Sequence, residues 1–395
     1  MSATLNIALQ NETTSSTVYA YITGSAINNN FALFLLQSDG KTYYYPSSPT
    51  SNGTPLAENC AIALGAPGST TTVTIPYLAG ARVWFSIGTP LTFSLNPGPG
   101  LVEPSVTNHS DPNINTYWDF CEFTFNSTQL FANISYVDFV SIPIALNLIN
   151  TSGGVQHVSG MASNGLNTVC AGLTAQNNID GAGWNSLIVQ YNGANLRALS
   201  PNDGIVLNAN LFSGYWQPYV NKVWSQYTSS PLSVNTQAQW GIVEGEVTSN
   251  ALNFSGVGSF TQPAAKDIFS CSTGPFAAGS AEMGALTARI SAAFNRSTLL
   301  IDNDIPSVQP LSYYQNSITN HYARIVHAAN LDGRGYAFPY DDVGPSGGAD
   351  QSGSISDGAP LLWTITVGGG NATASAKKAA TTASAEKAVN GHVEL

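Results

Sequence analysis

The sequence predicts a mainly β protein, a sandwich or barrel of short strands, with a mixed α/β lobe inserted into it and a cleft between the two lobes. Three observations lead to this prediction. Short alternating runs separated by turn residues fill residues 1–148. Apolar positions then follow the 3.6-residue spacing of helices between residues 149 and 331. Strand-like runs return from residue 335 onward, and ligand sites favour the junction between two lobes.

The first 148 residues contain repeated runs of β-branched and aromatic residues. Clusters of Gly, Pro, Asn and Ser, which favour turns, separate these runs. The predicted strands are TLNIALQ (4–10), STVYAYIT (16–23), FALFLLQ (31–37), TVTIPYL (72–78), RVWFSIG (82–88), WDFCEFTF (118–125) and SYVDFVSIPIAL (135–146). Many short strands of this kind are typical of sandwiches and barrels.

Four later segments place apolar residues at helical spacing and are predicted to form helices. They are HVSGMASNGLNTVCAGLTAQ (157–176), YWQPYVNKVWSQY (215–227), AEMGALTARISAAF (281–294) and SITNHYARIVHAANL (317–331). In the last segment, Ile318, Tyr322, Ile325 and Ala329 fall on one helix face. Between these helices, QWGIVEGEV (239–247) and ALNFSGVGSF (251–260) predict a β-hairpin.

Strand character returns late in the chain, and a strand in this position is expected to rejoin the first sheet. The late predicted strands are GYAFPYDDV (335–343) and LLWTITV (361–367). The predicted division is a β lobe of residues 1–148 with 332–368, an inserted mixed α/β lobe of residues 149–331, and a flexible low-complexity tail of residues 369–395.

Composition narrows the range of ligands. Charged residues make up 9% of the 395 residues, the net charge is −11, and there are 12 lysines and arginines. No basic run is long enough to bind phosphates, so nucleic acid is not an expected partner. An acidic surface rich in aromatic residues suits neutral sugars, because carboxylates accept hydrogen bonds from hydroxyls and rings stack on pyranose faces.

The sequence carries no motif for a metal or an organic cofactor. The four cysteines, Cys60, Cys121, Cys170 and Cys271, form no CxxC pair, and no histidine lies at ligand spacing from them. They can form two disulfides, with three connectivities left open, or remain as buried thiols. A GxSxG elbow, a P-loop and a dinucleotide-binding glycine motif are also absent.

The predicted location is extracellular. A polar but uncharged composition is common in secreted β proteins, and several N-x-S/T sequons occur along the chain. The opening MSATLNIALQ alternates like a strand and lacks the regions of a leader, so we expect either a leader already removed or another export route. No apolar stretch approaches the ~20 residues that span a bilayer, and no membrane partner is expected. We take the protein to be a monomer.

One strand carries a polar row that includes an acid. In YWDFCEFTFN (117–126) the alternation places Glu122, Thr124 and Asn126 on one face, and Cys121, Phe123 and Phe125 on the other. The second set packs into the core. The first set is either an ordinary solvated sheet face or part of a site with one acid, one hydroxyl and one amide.

A second acid follows at a distance that permits a pair. Asp138 lies in the apolar run FANISYVDFVSIPI (131–144), where an aspartate is either capped locally at a turn or functional. It is sixteen positions after Glu122, which allows for two adjacent strands and a turn. Two carboxyl groups facing one cleft are the requirement for glycoside hydrolysis, in which one donates a proton to the leaving oxygen and the other activates water or attacks directly.

Four segments carry a resemblance to a known family. They are TLNIALQNETTSSTVYAYITG (4–24), GARVWFSIG (80–88), CEFTFN (121–126) with LFANISYVDFVSIPI (130–144), and GRGYAFPYDDV (333–343). The chain resembles the thaumatin-like superfamily and, within it, family 64 of the glycoside hydrolases, the endo-acting β-1,3-glucanases. The resemblance covers most of residues 1–367. It implies a thaumatin-like β lobe, an added helical lobe, and hydrolysis of laminarin-like or fungal-wall glucan to short oligosaccharides without a cofactor.

The resemblance also implies roles for single residues. The family inverts the anomeric centre, which makes Glu122 the general acid and Asp138 the general base. The positions that match sugar-contacting residues are Thr124, Asn126, Phe131 and Ser135. Where family members often have a tryptophan, this chain has Phe131, whose smaller ring is expected to stack on a sugar less well.

Three further residues are predicted to line the cleft. Asp341 and Asp342 match acidic-cleft positions of thaumatin-like proteins, although a turn before Gly344 explains them equally well. Arg82 is expected to point into the cleft and pair with the acids, either as part of the site or as a plain salt bridge.

Two other functions fit part of the sequence. A non-catalytic glucan-binding protein of thaumatin type keeps an acidic cleft, but small proteins of that type lack the helical lobe and carry many more cysteines. A structural or lectin-like wall protein would bind a different sugar. Turnover of glucan separates the enzyme from both alternatives.

Overall fold

The computed structural model describes residues 3–369, and in this range the protein is mainly β with a mixed α/β region, as predicted. The first strands are β1 (Thr4–Asn11), β2 (Val18–Ala26), β3 (Ala32–Leu36), β4 (Tyr43–Tyr44), β5 (Thr54–Pro55), β6 (Ile62–Ala63), β7 (Thr70–Pro76), β8 (Leu78–Ile87), β9 (Ser94–Asn96), β10 (Gly100–Val102), β11 (Tyr117–Phe125) and β12 (Leu130–Ile134). The predicted tail lies outside the described residues, apart from Gly369.

The later strands are β13 (Phe139–Val140), β14 (Ile144–Asn150), β15 (Val155–Val158), β16 (Ile188–Tyr191), β17 (Ala194–Leu199), β18 (Leu232–Asn235), β19 (Ile242–Thr248), β20 (Ala251–Phe254), β21 (Gly258–Phe260), β22 (Asp304–Ile305), β23 (Ser354–Asp357) and β24 (Pro360–Val367). The α-helices are α1 (Gly165–Asp180), α2 (Pro201–Leu207), α3 (Gln217–Gln226), α4 (Ala265–Ser270), α5 (Ala281–Arg296) and α6 (His321–Ala329).

Two large sheets form the β part. One has the order β23-β12-β11-β8-β2-β3-β4, with β6 also paired to β2, and the other has the order β15-β14-β24-β1-β7. The sheets meet through aromatic side chains: the rings of Phe123 on β11 and Trp363 on β24 lie 5.1 Å apart between centroids. One face of the larger sheet is therefore internal, and the opposite face of β11 is the one that carries Glu122.

The last strand of the chain pairs with the first one. Strand β24 pairs in parallel with β1 and antiparallel with β14. The prediction that a late strand rejoins the first sheet is confirmed by these pairings. Strand β23 pairs with β12 in the larger sheet, so the late segment contributes to both sheets of the β part.

The region between β15 and β23 is mixed α/β. It contributes β16 and β17 to a sheet with the earlier strand β13, and it contains the sheet β21-β20-β19-β18-β22. Strands β19 and β20 form the predicted hairpin. Its core includes the buried Trp184, whose ring centroid lies 4.5 Å from that of Phe212 and 6.3 Å from that of Phe269. The short sheet matters for the site, because β13 follows directly after Asp138.

Some predicted elements differ from the structure for local reasons. The run 135–146 is two strands rather than one, interrupted around Pro143, which has no N–H to continue a ladder. The run 335–343 is not a strand. Its backbone forms local turns, and the Ala337 N–H donates to the Asp341 side chain instead of to a neighbouring strand.

Two predicted helices begin later than expected. Helix α1 starts at Gly165, because Val155–Val158 pair with β14 as strand β15. Gly160 then has a φ of 63°, and an added Cβ there would clash with the Ile144 carbonyl oxygen. Helix α6 starts after Asn320, whose side chain caps it by accepting from the Ala323 N–H at 3.0 Å. Ile318 therefore lies outside the helix.

The four cysteines are buried free thiols. Of the alternatives that the sequence left open, the structure has the one without disulfides. Among residues 3–369, no helix combines the length and the apolar character that crossing a membrane requires.

Candidate active site

The candidate site lies on the outward face of the larger sheet. Burial alternates over the second half of β11 as predicted, with Cys121, Phe123 and Phe125 buried and Glu122 and Thr124 half-buried. In the sheet register Glu122 pairs with Arg82 of β8 on one side and with Asn133 of β12 on the other. Side chains of paired residues point to the same face, so a polar row crosses three strands.

Arg82 connects two carboxylates. Its Nε donates to Glu122 Oε1 at 3.1 Å, and its Nη1 donates to Glu103 Oε2 at 2.6 Å. The guanidinium carbon lies 4.7 Å from the ring centroid of Phe120 and 5.3 Å from that of Trp84. Two acids and two rings therefore hold the Arg82 head group at the floor of the site.

Asp138 lies in a bend between β12 and β13, not inside a strand as predicted. Three contacts fix its backbone. The Asp138 carbonyl accepts from the Ser200 N–H at 2.7 Å, Phe139 pairs with Leu199 of β17, and the buried Asp119 Oδ2 accepts from the Ser141 N–H at 2.8 Å. The segment is thus bonded both to β11 and to the mixed α/β region.

Glu122 and Asp138 line adjoining cavities that share Arg82. The cavity of Glu122, about 430 Å³, also contains Thr124 and Phe131. The cavity of Asp138, about 210 Å³, is lined by the aromatic residues Trp84, Trp118, Phe120 and Phe139. A larger cavity of about 710 Å³ shares no residue with either and contains neither acid. The two adjoining cavities form what we call the acidic cleft.

The acidic cleft holds more negative than positive groups. The carboxyl groups that line it are Glu103, Glu122, Asp138 and Asp203, and the cation is Arg82. Burial raises the pKa of Asp138, the charge of Arg82 opposes that rise, and Glu122 adds to it. Burial likewise raises the pKa of Glu103, against the effect of Arg82. Buried carboxyl groups that lie close to one another tend to keep their protons. One carboxyl group of the cleft can therefore be protonated while another is ionised, as acid and base catalysis requires.

Comparison with known families identifies the family of this chain. The profile of glycoside hydrolase family 64, described as beta-1,3-glucanase, matches residues 3–367. The chain belongs to this family. It is 31% identical over 284 residues to a glucan endo-1,3-beta-glucosidase of Cellulosimicrobium cellulans, and 32% identical over 282 residues to one of Arthrobacter sp. (strain YCWD3). Each match covers 69% of this chain and 50% of the relative, so the chain spans about half the length of those relatives.

Solved structures of the family match the fold. A laminaripentaose-producing beta-1,3-glucanase crystallised with laminaritetraose is 31% identical, with a TM-score of 0.83 over 93% of this chain and 99% of that chain. A family 64 domain from Clostridium beijerinckii is 21% identical, with a TM-score of 0.73 over 93% of this chain and 98% of that chain. The second match bears on the fold alone.

The predicted sugar contacts separate into two groups in this family 64 chain. Thr124 and Phe131 line the acidic cleft, and Phe131 is 38% exposed, a high value for a phenylalanine. Asn126 lines neither cavity, and its Oδ1 instead accepts from the backbone of Thr128 and Gln129 in the turn after β11. Ser135 is buried and also lines neither cavity, and its contact with a sugar stays a prediction.

Asp341 lines neither cavity of the acidic cleft. Its side chain is fully buried, with Arg296 Nη2 at 3.0 Å and His327 Nε2 at 2.9 Å. Burial by itself would raise the pKa of Asp341, but His327, Arg296 and the Ala337 N–H together hold it below its ordinary value. Asp342 is exposed, lines neither cavity, and accepts from the Tyr336 hydroxyl at 2.9 Å. Asp341 is therefore a structural ion-pair residue.

We expect Asp341→Asn to lower the free energy of unfolding by about 3–5 kcal/mol, because it leaves the buried Arg296 without a counterion. Urea unfolding at neutral pH measures this loss. The pKa of Asp341 is depressed in the folded state, so its contribution is complete above the unfolded value and declines as the pH falls through the folded value. Asp342→Asn is the matched control, with a change of less than about 0.5 kcal/mol. Equal stabilities of the two variants would contradict the assignment.

Sequence reasoning missed two acids of the cleft, Glu103 and Asp203. Glu103 follows the short strand β10 and precedes Pro104, in a segment without periodicity. Asp203 belongs to SPND (200–203), a pattern that indicates the start of a helix. In the structure the pattern does start a helix, and it also brings a carboxyl group into the cleft. No local signal distinguishes these two roles.

Proposed function

We propose that this chain is an endo-acting β-1,3-glucanase that hydrolyses laminarin-like or fungal-wall glucan to short oligosaccharides. The observation that carries the proposal is the presence of Glu122 and Asp138 in adjoining cavities joined by Arg82, in a chain of family 64. The relative crystallised with laminaritetraose, matched over 93% of this chain, supports a β-1,3-linked substrate.

The proposed architecture is a thaumatin-like β lobe of residues 1–148 with 332–368 and an inserted lobe of residues 149–331, with the substrate between them. Two observations support this division. Strand β24 returns to the sheet of β1. Asp203, from the inserted residues, lines the same cavity as Trp84 of the larger sheet.

The proposed mechanism is a single displacement with inversion. Glu122 donates a proton to the departing glycosidic oxygen, and Asp138 takes a proton from the water that attacks the anomeric carbon on the opposite face. Placement of the two acids in adjoining cavities, rather than in direct contact, leaves room for a water molecule. Inverting enzymes hold their two carboxyl groups roughly 6.5–9.5 Å apart to make room for that water. No step needs a cofactor.

The cavity of Glu122 supplies groups suited to a sugar. The half-exposed ring of Phe131 offers an apolar face, and Thr124 offers a hydroxyl beside it. Arg82, bound to two carboxylates, keeps Glu122 oriented toward the cavity. We retain Asn126 and Asp342 as outer contacts only, since a long glucan chain extends past the cavity itself.

A glucan polymer is too large to enter a cell, so the proposed activity requires an extracellular site of action. The low share of charged residues, 9%, agrees with that location. We propose that the protein acts as a monomer on its polysaccharide, without nucleic acid or a membrane as a partner.

The test is hydrolysis of laminarin followed by NMR of the first product. The expected result is a new reducing end that appears as the α-anomer and then mutarotates, since inversion of a β-linkage yields α. A β-anomer as the first product would contradict the inverting mechanism. Glucan binding without any product would instead identify a non-catalytic glucan-binding protein, and binding only to another polysaccharide would indicate a lectin-like wall protein.

A further inference from the structure

The cavity beside Asp138 contains a second aspartate, Asp203. Both residues line the same space of about 210 Å³, whose other walls are largely aromatic. Trp118 belongs to these walls, is 2% exposed, and has an Nε1–H without a hydrogen-bond partner among the described residues. A cavity with two carboxyl groups and an unpaired donor is suited to holding a polar group.

The position of Asp203 is tied to that of Asp138 through the backbone. Strand β17 pairs with β13, and the next residue along, Ser200, donates its N–H to the Asp138 carbonyl at 2.7 Å. Ser200 is also the N-cap of α2, since its Oγ accepts from the Asp203 N–H at 3.2 Å. Backbone hydrogen bonding through Ser200 thus connects the first turn of α2 to Asp138.

Asp203 is 9% exposed, and no lysine, arginine or histidine forms an ion pair with it in residues 3–369. Burial, followed by the charge of Asp138, raises the pKa of Asp203 to about 7, while a hydrogen bond from Asn202 opposes the rise. An unpaired carboxyl group in such a place keeps its proton more readily than an exposed one does.

The other charged or titratable groups on the cavity wall and on the elements near α2 do not neutralise Asp203. They are Arg82 on the cavity wall, Tyr322 of α6, Arg197 of β17, and Lys266 and Asp267 of α4. Arg82 is bonded to Glu103 and Glu122, and Arg197 to the carbonyls of residues 114 and 116. Tyr322 donates to the Tyr136 carbonyl, Asp267 accepts from the Ala264 N–H, and Lys266 is exposed.

We propose that Asp203 is a positioning residue for the base: it remains protonated beside an ionised Asp138 and donates a hydrogen bond that orients the Asp138 carboxylate. The inference rests on the proposed function. During turnover the proton of the attacking water passes to Asp138, and Asp203 keeps its own proton. The neutral acid therefore stabilises a nearby carboxylate without adding a second negative charge to the cavity.

The pH dependence follows from this arrangement. Below about pH 7 Asp203 is protonated and supplies the donor. Above that pH it ionises, so the donor is lost and a second charge opposes the ionised Asp138. Wild-type kcat/KM is therefore expected to fall as the pH rises through about 7. Asparagine keeps an N–H donor at every pH and removes this ionisation.

The experiment compares pH profiles of laminarin hydrolysis for wild type, Asp203→Asn, Asp203→Ala and Asp267→Asn. At pH 5 we expect Asp203→Asn to stay within about tenfold of wild type, and Asp203→Ala to lose about 100-fold in kcat with a smaller change in KM. In Asp203→Asn the fall near pH 7 should disappear or move to higher pH. Asp267, also the third residue of a helix and also buried, is the matched control, whose replacement should leave the profile unchanged.

A second measurement does not depend on activity. In protein labelled with ¹³C at the aspartate carboxyl carbons, the signal lost in Asp203→Asn identifies Asp203, whose titration should lie near pH 7 and move to lower pH in Asp138→Asn. A wild-type profile in Asp203→Asn, or an Asp203 signal that titrates near pH 4, would overturn the inference while laminarin hydrolysis stands. Coupled titration without any hydrolysis would overturn the proposed function and, with it, the role assigned to Asp203.

Discussion

Replacement of Glu122 by glutamine is expected to reduce kcat on laminarin by about 10²- to 10⁴-fold, because it removes the proton donor to the leaving oxygen. Glutamine has nearly the same shape and can still accept the hydrogen bond of Arg82 through its side-chain oxygen. Since the Arg82–Glu122 pair is partly exposed, with side-chain exposures of 30% and 36%, the loss of stability should be no more than about 1 kcal/mol.

A change of leaving group isolates the role of Glu122. A dinitrophenyl laminari-oligosaccharide releases an anion that needs no protonation, so Glu122→Gln should cleave it at a rate close to that of wild type. Glu58→Gln, which changes an exposed glutamate outside the cleft, is the matched control and should match wild type on both substrates. If Glu122→Gln is equally impaired on both substrates, Glu122 is not the general acid.

The part of the site that lies in one regular strand could be predicted from the sequence. Alternation along β11 places Glu122 and Thr124 outward and Phe123 inward, and the structure agrees. Because side-chain direction in a strand depends only on the parity of position, this inference needs no knowledge of distant residues. The pairing with Arg82 depends on strand register, which a pattern within one strand does not specify.

The remainder of the cleft depends on contacts between distant segments. Asp138 is positioned by Ser200 and Asp119, which lie 62 and 19 positions away in the sequence. Glu103 and Asp203 reach the cleft through a short strand end and a helix start. Such placements are the result of packing, and no periodicity in the sequence records them.

The acidic pair at 341–342 shows that distant partners decide where a carboxylate lies. By resemblance both residues match acidic-cleft positions of thaumatin-like proteins. In the structure, however, Asp341 is buried and Asp342 is exposed. The difference comes from Arg296 and His327, which lie on α5 and α6 and supply partners for Asp341 alone. A carboxylate in a motif is therefore assigned to a site only after its partners are known.

Replacement of Asp138 by asparagine is expected to lower kcat by about 10²- to 10⁴-fold as well, but for a different step, because the water is no longer deprotonated as it attacks. The dinitrophenyl substrate should not restore the rate, since departure of the leaving group is not what the variant lacks. Burial raises the pKa of Asp138, so the acid limb of the wild-type profile should lie above the ordinary range of an aspartate. The variant should lose that limb.

Azide gives the decisive contrast between the two acids. It is an anion that attacks without losing a proton, so it should restore cleavage of the dinitrophenyl substrate by Asp138→Ala, which leaves space for it. An inverting site delivers the nucleophile from the face opposite the leaving group, so the product should be the α-glycosyl azide. The Glu122→Gln variant should form no such product, because its intact Asp138 repels an anion and still activates water. An α-glycosyl azide from Glu122→Gln would indicate that the two acids have the opposite roles. A β-glycosyl azide from Asp138→Ala would exclude the inverting mechanism.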